Sequence, residues 1–252
     1  MARATGSVLV IGSGPNAPES RNWDAAQFDA IVVINNAWQV RPDWTHLIHP
    51  EDFPVDRRPE RLGPAQQVVT YRDFVPAQNA FGGFVYAGGT MAFTAGYWAL
   101  ATLRPRVLAF IGCDMTYAAT GPTHFYGTGA ADPLRPDVTL QSLEAKSARL
   151  ALLAARRGCH CVNLSRSASR LLFPRAGVSE LNRAGDRGLE PDSAAMTAAE
   201  DQERGLNYFV ASGRYWEAAA GFDARELARL DQMWLAAYQR SAFPPVPAVQ
   251  AG

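Results

Sequence analysis

The sequence predicts an α/β fold, a mainly parallel sheet flanked by helices with a small helical C-terminal extension. Short, continuously apolar runs recur along the chain, helical stretches separate some of them, and the first run ends abruptly in Gly12-Ser13-Gly14-Pro15-Asn16. Strands buried on both faces need continuous rather than alternating apolar runs, and strands interleaved with helices pair in parallel. A strand that opens into a glycine turn marks the sheet edge where such folds bind ligands.

The candidate strands are Val8–Ile11, Ala30–Ile34, Thr45–Ile48, Gln67–Tyr71, Val107–Ile111 and Cys159–Leu164. Two helices flank the fifth. One begins near Thr90 after Gly88-Gly89 and runs to Leu103; it is apolar nearly all round, as a helix packed deep against a sheet must be. The other, Leu140–Arg157, carries Leu143, Leu150, Leu153 and Ala154 on one stripe. It stops at Gly158 behind Arg156 and Arg157, a glycine cap with cations at the negative end of the helix dipole.

Beyond Pro174 the character changes, which divides the chain into a nucleotide-binding domain, 1–174, and a C-terminal extension, 175–252. Arg175–Asp192 is rich in glycine and charge and reads as a loop, linker or lid. The tail then becomes helical: Asp223 is a cap, Glu226 follows it by three, Phe222 and Leu227 form a staple, and Leu227, Leu230, Trp234 and Tyr238 share a face. That face suits docking on its own domain or on a subunit partner. Phe243–Gly252 reads as extended.

Composition narrows the function classes. The 252 residues are 48% hydrophobic, ample for a sizeable core. Basic and acidic side chains balance at 24 each, which removes the basic footprint of a nucleic-acid-binding protein. No segment approaches the roughly 20 apolar residues of a membrane span. Met1–Ser7 leads directly into the first strand, so no signal peptide is expected. Cys113, Cys159 and Cys161 fit a reducing compartment, and the expected location is cytoplasmic. Peripheral membrane association and homo-oligomerisation both stay open.

The glycine turn points to a phosphorylated ligand, because backbone N–H groups in such turns can approach an anion closely. Gly12-x-Gly14-x-x-Ala17 also fits the dinucleotide fingerprint, but Pro15–Asn22 is poor helix material. The second strand ends in Asn35-Asn36 rather than the acidic residue that holds a ribose. Neutral amides donate as well as accept, and suit a base edge, a ribose or a phosphate oxygen.

The fifth strand again terminates in glycine and then a carboxylate, Gly112-Cys113-Asp114. The stretch Thr116–Pro136, about twenty residues without helical period, is long enough to be a functional loop. His124 sits at its centre beside Phe125 and Tyr126, well located for a general base or acid, although a purely structural histidine is equally compatible with the pattern. His46 and His160 lie on strands and read as structural; His49, just past a strand end, can reach the site. No cluster has zinc spacing and no Asp-x-Asp occurs, so a nucleotide-sugar transferase on this chain would need another way to neutralise its leaving phosphate. Tyrosine hydroxyls, Arg72, Arg135 or the helix start at Gly88-Gly89 can supply one.

Val10–Asn16, Val33–Asn36, Gly88-Gly89-Thr90 opening a helix, and Phe110–Met115, in that order, resemble the bacterial sialyltransferases of glycosyltransferase family 42. They equally resemble related flagellin-modification and hydroxymethylpterin-diphosphokinase-like proteins. The likeness covers residues 7–170. It implies a Rossmann-like domain with a lid, a CMP-sugar donor, a glycan or small-molecule acceptor, and transfer that needs no metal or other cofactor. By resemblance, Gly12, Ser13, Gly14, Pro15, Asn16, Asn35 and Asn36 hold the nucleotide. Gly88, Gly89, Thr90, Gly112, Cys113 and Asp114 complete the donor site. His124 matches the family's base at a longer distance from the next helix, and Tyr117 and Tyr126 compete for the tyrosines that steady the departing phosphate. The rival expectations are Mg²⁺-dependent diphosphotransfer from ATP to a pterin-like alcohol, through carboxylates such as Asp114 or Glu51, and a nucleotide-binding module without catalysis.

Overall fold

The computed structural model describes residues 5–117, 120–128, 136–184 and 188–243. Arg135, part of the Thr116–Pro136 loop and the tail beyond Phe243 lie outside them.

A parallel sheet of six strands carries the fold: β1 (Thr5–Ile11), β2 (Ala30–Ile34), β3 (His46–Ile48), β4 (Gln67–Val69), β5 (Pro105–Ile111) and β6 (His160–Asn163), in the order β4-β3-β2-β1-β5-β6. This is a Rossmann-like α/β architecture. Val8, Leu9, Val10 and Ile11 are fully buried on both faces of the sheet, which is why the central strand is apolar without alternation.

The two faces are covered differently. One carries α1 (Tyr71–Asn79), α2 (Phe84–Ala87), α3 (Met91–Thr102) and α4 (Leu143–Ala155), and with them α6 (Ser193–Leu206) and α7 (Ala224–Arg240). The other is covered by 3-10 turns and the short α5 (Leu181–Ala184). The link from β1 to β2 uses 3-10 turns at Ala17–Asn22 and Ala25–Gln27, in keeping with the poor helix material after the glycines.

Several boundaries differ from those expected. The fourth strand stops at Val69 rather than Tyr71 because Asp73 turns back to accept from Thr70 N–H at 2.8 Å, starting α1 there. The helix expected from Leu140 begins at Leu143: Ser142 caps it by accepting from Ala145 N–H at 3.1 Å, and Val138–Leu140 is a separate 3-10 turn. Arg175–Asp192, expected as a loop, contains a 3-10 turn at Val178–Glu180 and then α5. α7 starts where the Asp223 cap places it, with Asp223 Oδ1 accepting from Arg225 N–H at 2.8 Å. Its buried face, Leu227, Leu230 and Trp234, joins the same core as α4 of its own chain. No helix among the described residues is long and apolar enough to cross a membrane.

Candidate functional site

From β1 the sheet grows outward through β2 on one side and β5 on the other, and ligands of open α/β sheets bind in the crevice outside the carboxyl ends at such a switch point. The register sets Ile11 beside Ile111, so the chain leaves both strands at one place. There the backbones touch. Gly12 N–H donates to Ile111 O at 2.8 Å and Gly14 N–H to Gly112 O at 2.8 Å. A Cβ on Gly12 would lie 2.3 Å from Gly112 O, and Gly112 holds a φ of +68°. The glycines therefore serve the close crossing of two segments, and the Gly12 and Gly14 N–H groups are taken up by carbonyls rather than offered to a phosphate.

Beyond the crossing opens a cleft of about 840 Å³, the size of a small-molecule site. Gly12, Ser13, Gly14, Pro15, Asn16, Asn35, Asn36, Thr90, Gly112, Cys113, Asp114, Tyr117, His124 and Tyr126 all line it. Gly88 and Gly89 are not on its wall. Gly89 N–H donates to Thr139 Oγ1 at 3.0 Å, and the Tyr215 hydroxyl lies where a Cβ on Gly89 would come within 2.0 Å. Of that helix start Thr90 reaches the cleft, its hydroxyl capping α3 by accepting from Phe93 N–H at 3.3 Å.

Asn16, Asn35 and Asn36 bring three side-chain amides to the cleft wall. Asn16 Nδ2 donates to Asp114 Oδ2 at 2.8 Å and to Ser165 Oγ at 2.7 Å. Because a carboxylate only accepts, this fixes which way the amide faces. Among the described residues, Asn16 Oδ1 is left buried without a hydrogen-bond partner, and so is Oδ1 of Asn35, which follows β2 at a φ of 52°. An unsatisfied buried acceptor costs on the order of 1–3 kcal/mol, so a ligand presenting hydroxyl or N–H donors has a ready place here. Asn36 is only 7% exposed.

Asp114 is a strut of this arrangement. Besides Asn16 it accepts from Ser165 Oγ at 2.6 Å and from Asn163 Nδ2 at 3.3 Å, with the Arg175 guanidinium 4.0 Å away. Among the described residues no group of His, Cys, Asp and Glu side chains is arranged to hold a metal. Burial pushes the Cys113 thiol well above its usual range, which makes it a packing group rather than a nucleophile.

The loop after β5 folds back over the crevice. Phe125 N–H donates to Ser13 O at 3.0 Å, and Phe125 packs on the core face that the 3-10 turns cover. This brings the His124 ring onto Tyr126 at 5.0 Å between centroids and places Tyr117 at 6.1 Å. His124 Nδ1 is 2.9 Å from Thr123 Oγ1. The tautomer in which Nδ1–H donates to Thr123 puts the basic lone pair on Nε2.

The other sequence candidates lie elsewhere. His46 sits against Trp98 at 5.1 Å, and His160 lies directly beneath Gly188. His49 is buried, with Nδ1 2.8 Å from Pro50 O and its ring against Phe53, and burial lowers its pKa. Arg72 is at the surface beside Tyr71, off the cleft. Sequence reasoning missed Asn163 and Ser165, although an amide and a hydroxyl directly after an apolar strand repeat the signal that singled out Asn35. It also missed Arg57 on the cleft wall, for which nothing local gives a signal. The chain matches no family model, no curated protein and no solved structure.

Proposed function

We propose that the cleft binds a CMP-activated sugar of the sialic-acid type and transfers it, with inversion and without a metal, to an acceptor hydroxyl. The observation that carries this reading is the convergence, at one switch-point crevice, of the Asn16, Asn35 and Asn36 amides with His124 and its flanking tyrosines. The unpartnered Asn16 and Asn35 acceptors suit ribose hydroxyls or the amino group of a base. His124 takes the acceptor proton as the acceptor oxygen bonds to the anomeric carbon. The bond from that carbon to the phosphate oxygen breaks, its electrons leaving on CMP, and Tyr117 and Tyr126 steady the departing phosphate. The order of the motifs around the cleft, which resembles glycosyltransferase family 42, supports the same reading. The ATP-dependent alternative is less well served: Asp114 already accepts from Asn16, Ser165 and Asn163, and Glu51 is not on the cleft wall.

Calorimetry with CMP, CDP, UDP, GDP and ATP, each with and without Mg²⁺, tests the proposal. Binding of CMP without Mg²⁺ is the expected result; a preference for ATP with Mg²⁺ favours diphosphotransfer, and no response to any nucleotide overturns both. With the donor in hand, His124→Ala should lower the transfer rate by about 10²–10⁴ while leaving CMP affinity unchanged.

A further inference from the structure

The cleft has an uneven charge. Glu19, Asp52 and Asp114 line it as carboxylates, and Arg57 is the one arginine or lysine among the described lining residues. Arg57 lies in the 3-10 turn Val55–Arg57 between β3 and β4, and its backbone is gripped from both sides. Its N–H donates to Pro54 O at 3.1 Å, and Trp38 Nε1 donates to its carbonyl at 2.8 Å. The neighbouring Arg58 uses its guanidinium to hold the loop together, donating from Nε to Phe53 O at 3.1 Å and from Nη2 to Glu51 O at 3.3 Å. The Arg57 guanidinium makes no ion pair among the described residues, and the residue is exposed on the cleft wall. The first turn of α3, Thr90 to Ala92, lines the same cleft and adds the positive end of a helix dipole.

We propose that Arg57 recognises an anionic group of the cleft's ligand, a phosphate or a carboxylate. The inference rests on reading this cleft as the ligand site. A guanidinium on an anchored backbone can grip two oxygens of such a group at once, and it loses less freedom on binding than it would on an unanchored loop. With acidic groups on the same wall, this residue sets how tightly the ligand's anionic group is held.

The test is calorimetry on the full chain and on Arg57→Gln, with CMP, cytidine, ATP and N-acetylneuraminate as probes. Arg57 is exposed, so the variant should melt with the parent; Arg57→Lys, which keeps the charge and loses the fork, should fall between the two in affinity. If the group is the phosphate, Arg57→Gln binds CMP about tenfold to a hundredfold more weakly and cytidine unchanged. If it is a carboxylate, the loss appears with N-acetylneuraminate instead. Should ATP bind in place of CMP and the variant lose it, Arg57 stands and the CMP reading falls. Unaltered affinities in Arg57→Gln overturn the inference alone, and a parent chain that binds no probe overturns both.

Discussion

At the scale of single residues, the crossing of Gly12 and Gly112 is demanded by steric fit before any ligand is considered. A methyl group on Gly12 would have to occupy space 2.3 Å from Gly112 O and 2.7 Å from Cys113 Sγ, and backbone cannot give way as a flexible side chain can. Gly12→Ala should therefore destabilise the protein by about 1–3 kcal/mol or more, read as a lower urea midpoint with unchanged slope. The prediction separates two meanings of one motif, since a glycine kept only for a phosphate would tolerate alanine in the absence of ligand. The sequence pointed to this place because strand ends are visible as apolar runs that stop at glycine. It could not reveal that the Gly12 and Gly14 N–H groups face carbonyls, because their partners come from a strand about a hundred residues away. The Asn16 amide is set by Asp114 and Ser165, at sequence separations of 98 and 149, and no local pattern encodes that agreement. His124 and Asn35 were legible because each directly follows or overhangs a strand end.

Among the elements, α4 is the hub, and charge rather than apolar surface distinguishes it. Arg149 is 2% exposed, donates to Glu203 of α6 from Nε at 2.7 Å and from Nη2 at 2.8 Å, and reaches the Tyr97 hydroxyl at 2.8 Å. Trp234 Nε1 of α7 donates to the same carboxylate at 2.7 Å. One turn before Arg149, Lys146 Nζ meets Asp231 of α7 at 2.7 Å with both side chains buried. Breaking such a pair from one side strands a buried charge, so Arg149→Met should cost about 3–5 kcal/mol. Arg149→Met with Glu203→Leu should recover a large part of that loss, because neither charge is left alone; chemical denaturation of the three proteins checks it. A double variant no more stable than the single would mean that Tyr97 and Trp234 need the ions for their own hydrogen bonds. This arrangement explains what was legible in the helices. The apolar stripe of α4 and the cap and staple of α7 are local signals, whereas Lys146 and Arg149 follow a pattern that ordinarily marks a solvent face. α6 carries no comparable local signal because Ser193–Leu206 is mostly alanine and charge, and its buried contacts depend on α4 and α7.

For the whole molecule, the unequal covering of the sheet decides where stability resides. One face is backed by stacked helices, and the C-terminal pair belongs to the same continuous core as β1, β2 and β5. The other face, under 3-10 turns and the Phe125 loop, stays thin and carries the approach to the cleft. A change in composition near Pro174 is visible in the sequence, but composition does not report whether two segments share a core. With α6 and α7 removed, Lys146 and Arg149 would lose the carboxylates that neutralise them, and the α4 surface beneath Trp234 and Leu230 would face water. A chain ending at Phe173 should then fail to reach a cooperatively folded state, giving a broad thermal transition and poorly dispersed amide resonances. A sharp transition and a CMP response like the full chain's would instead make the extension an independent unit. Adding back a peptide spanning 190–243 discriminates further, since restoring a cooperative transition in trans requires that these helices complete the core rather than sit beside it.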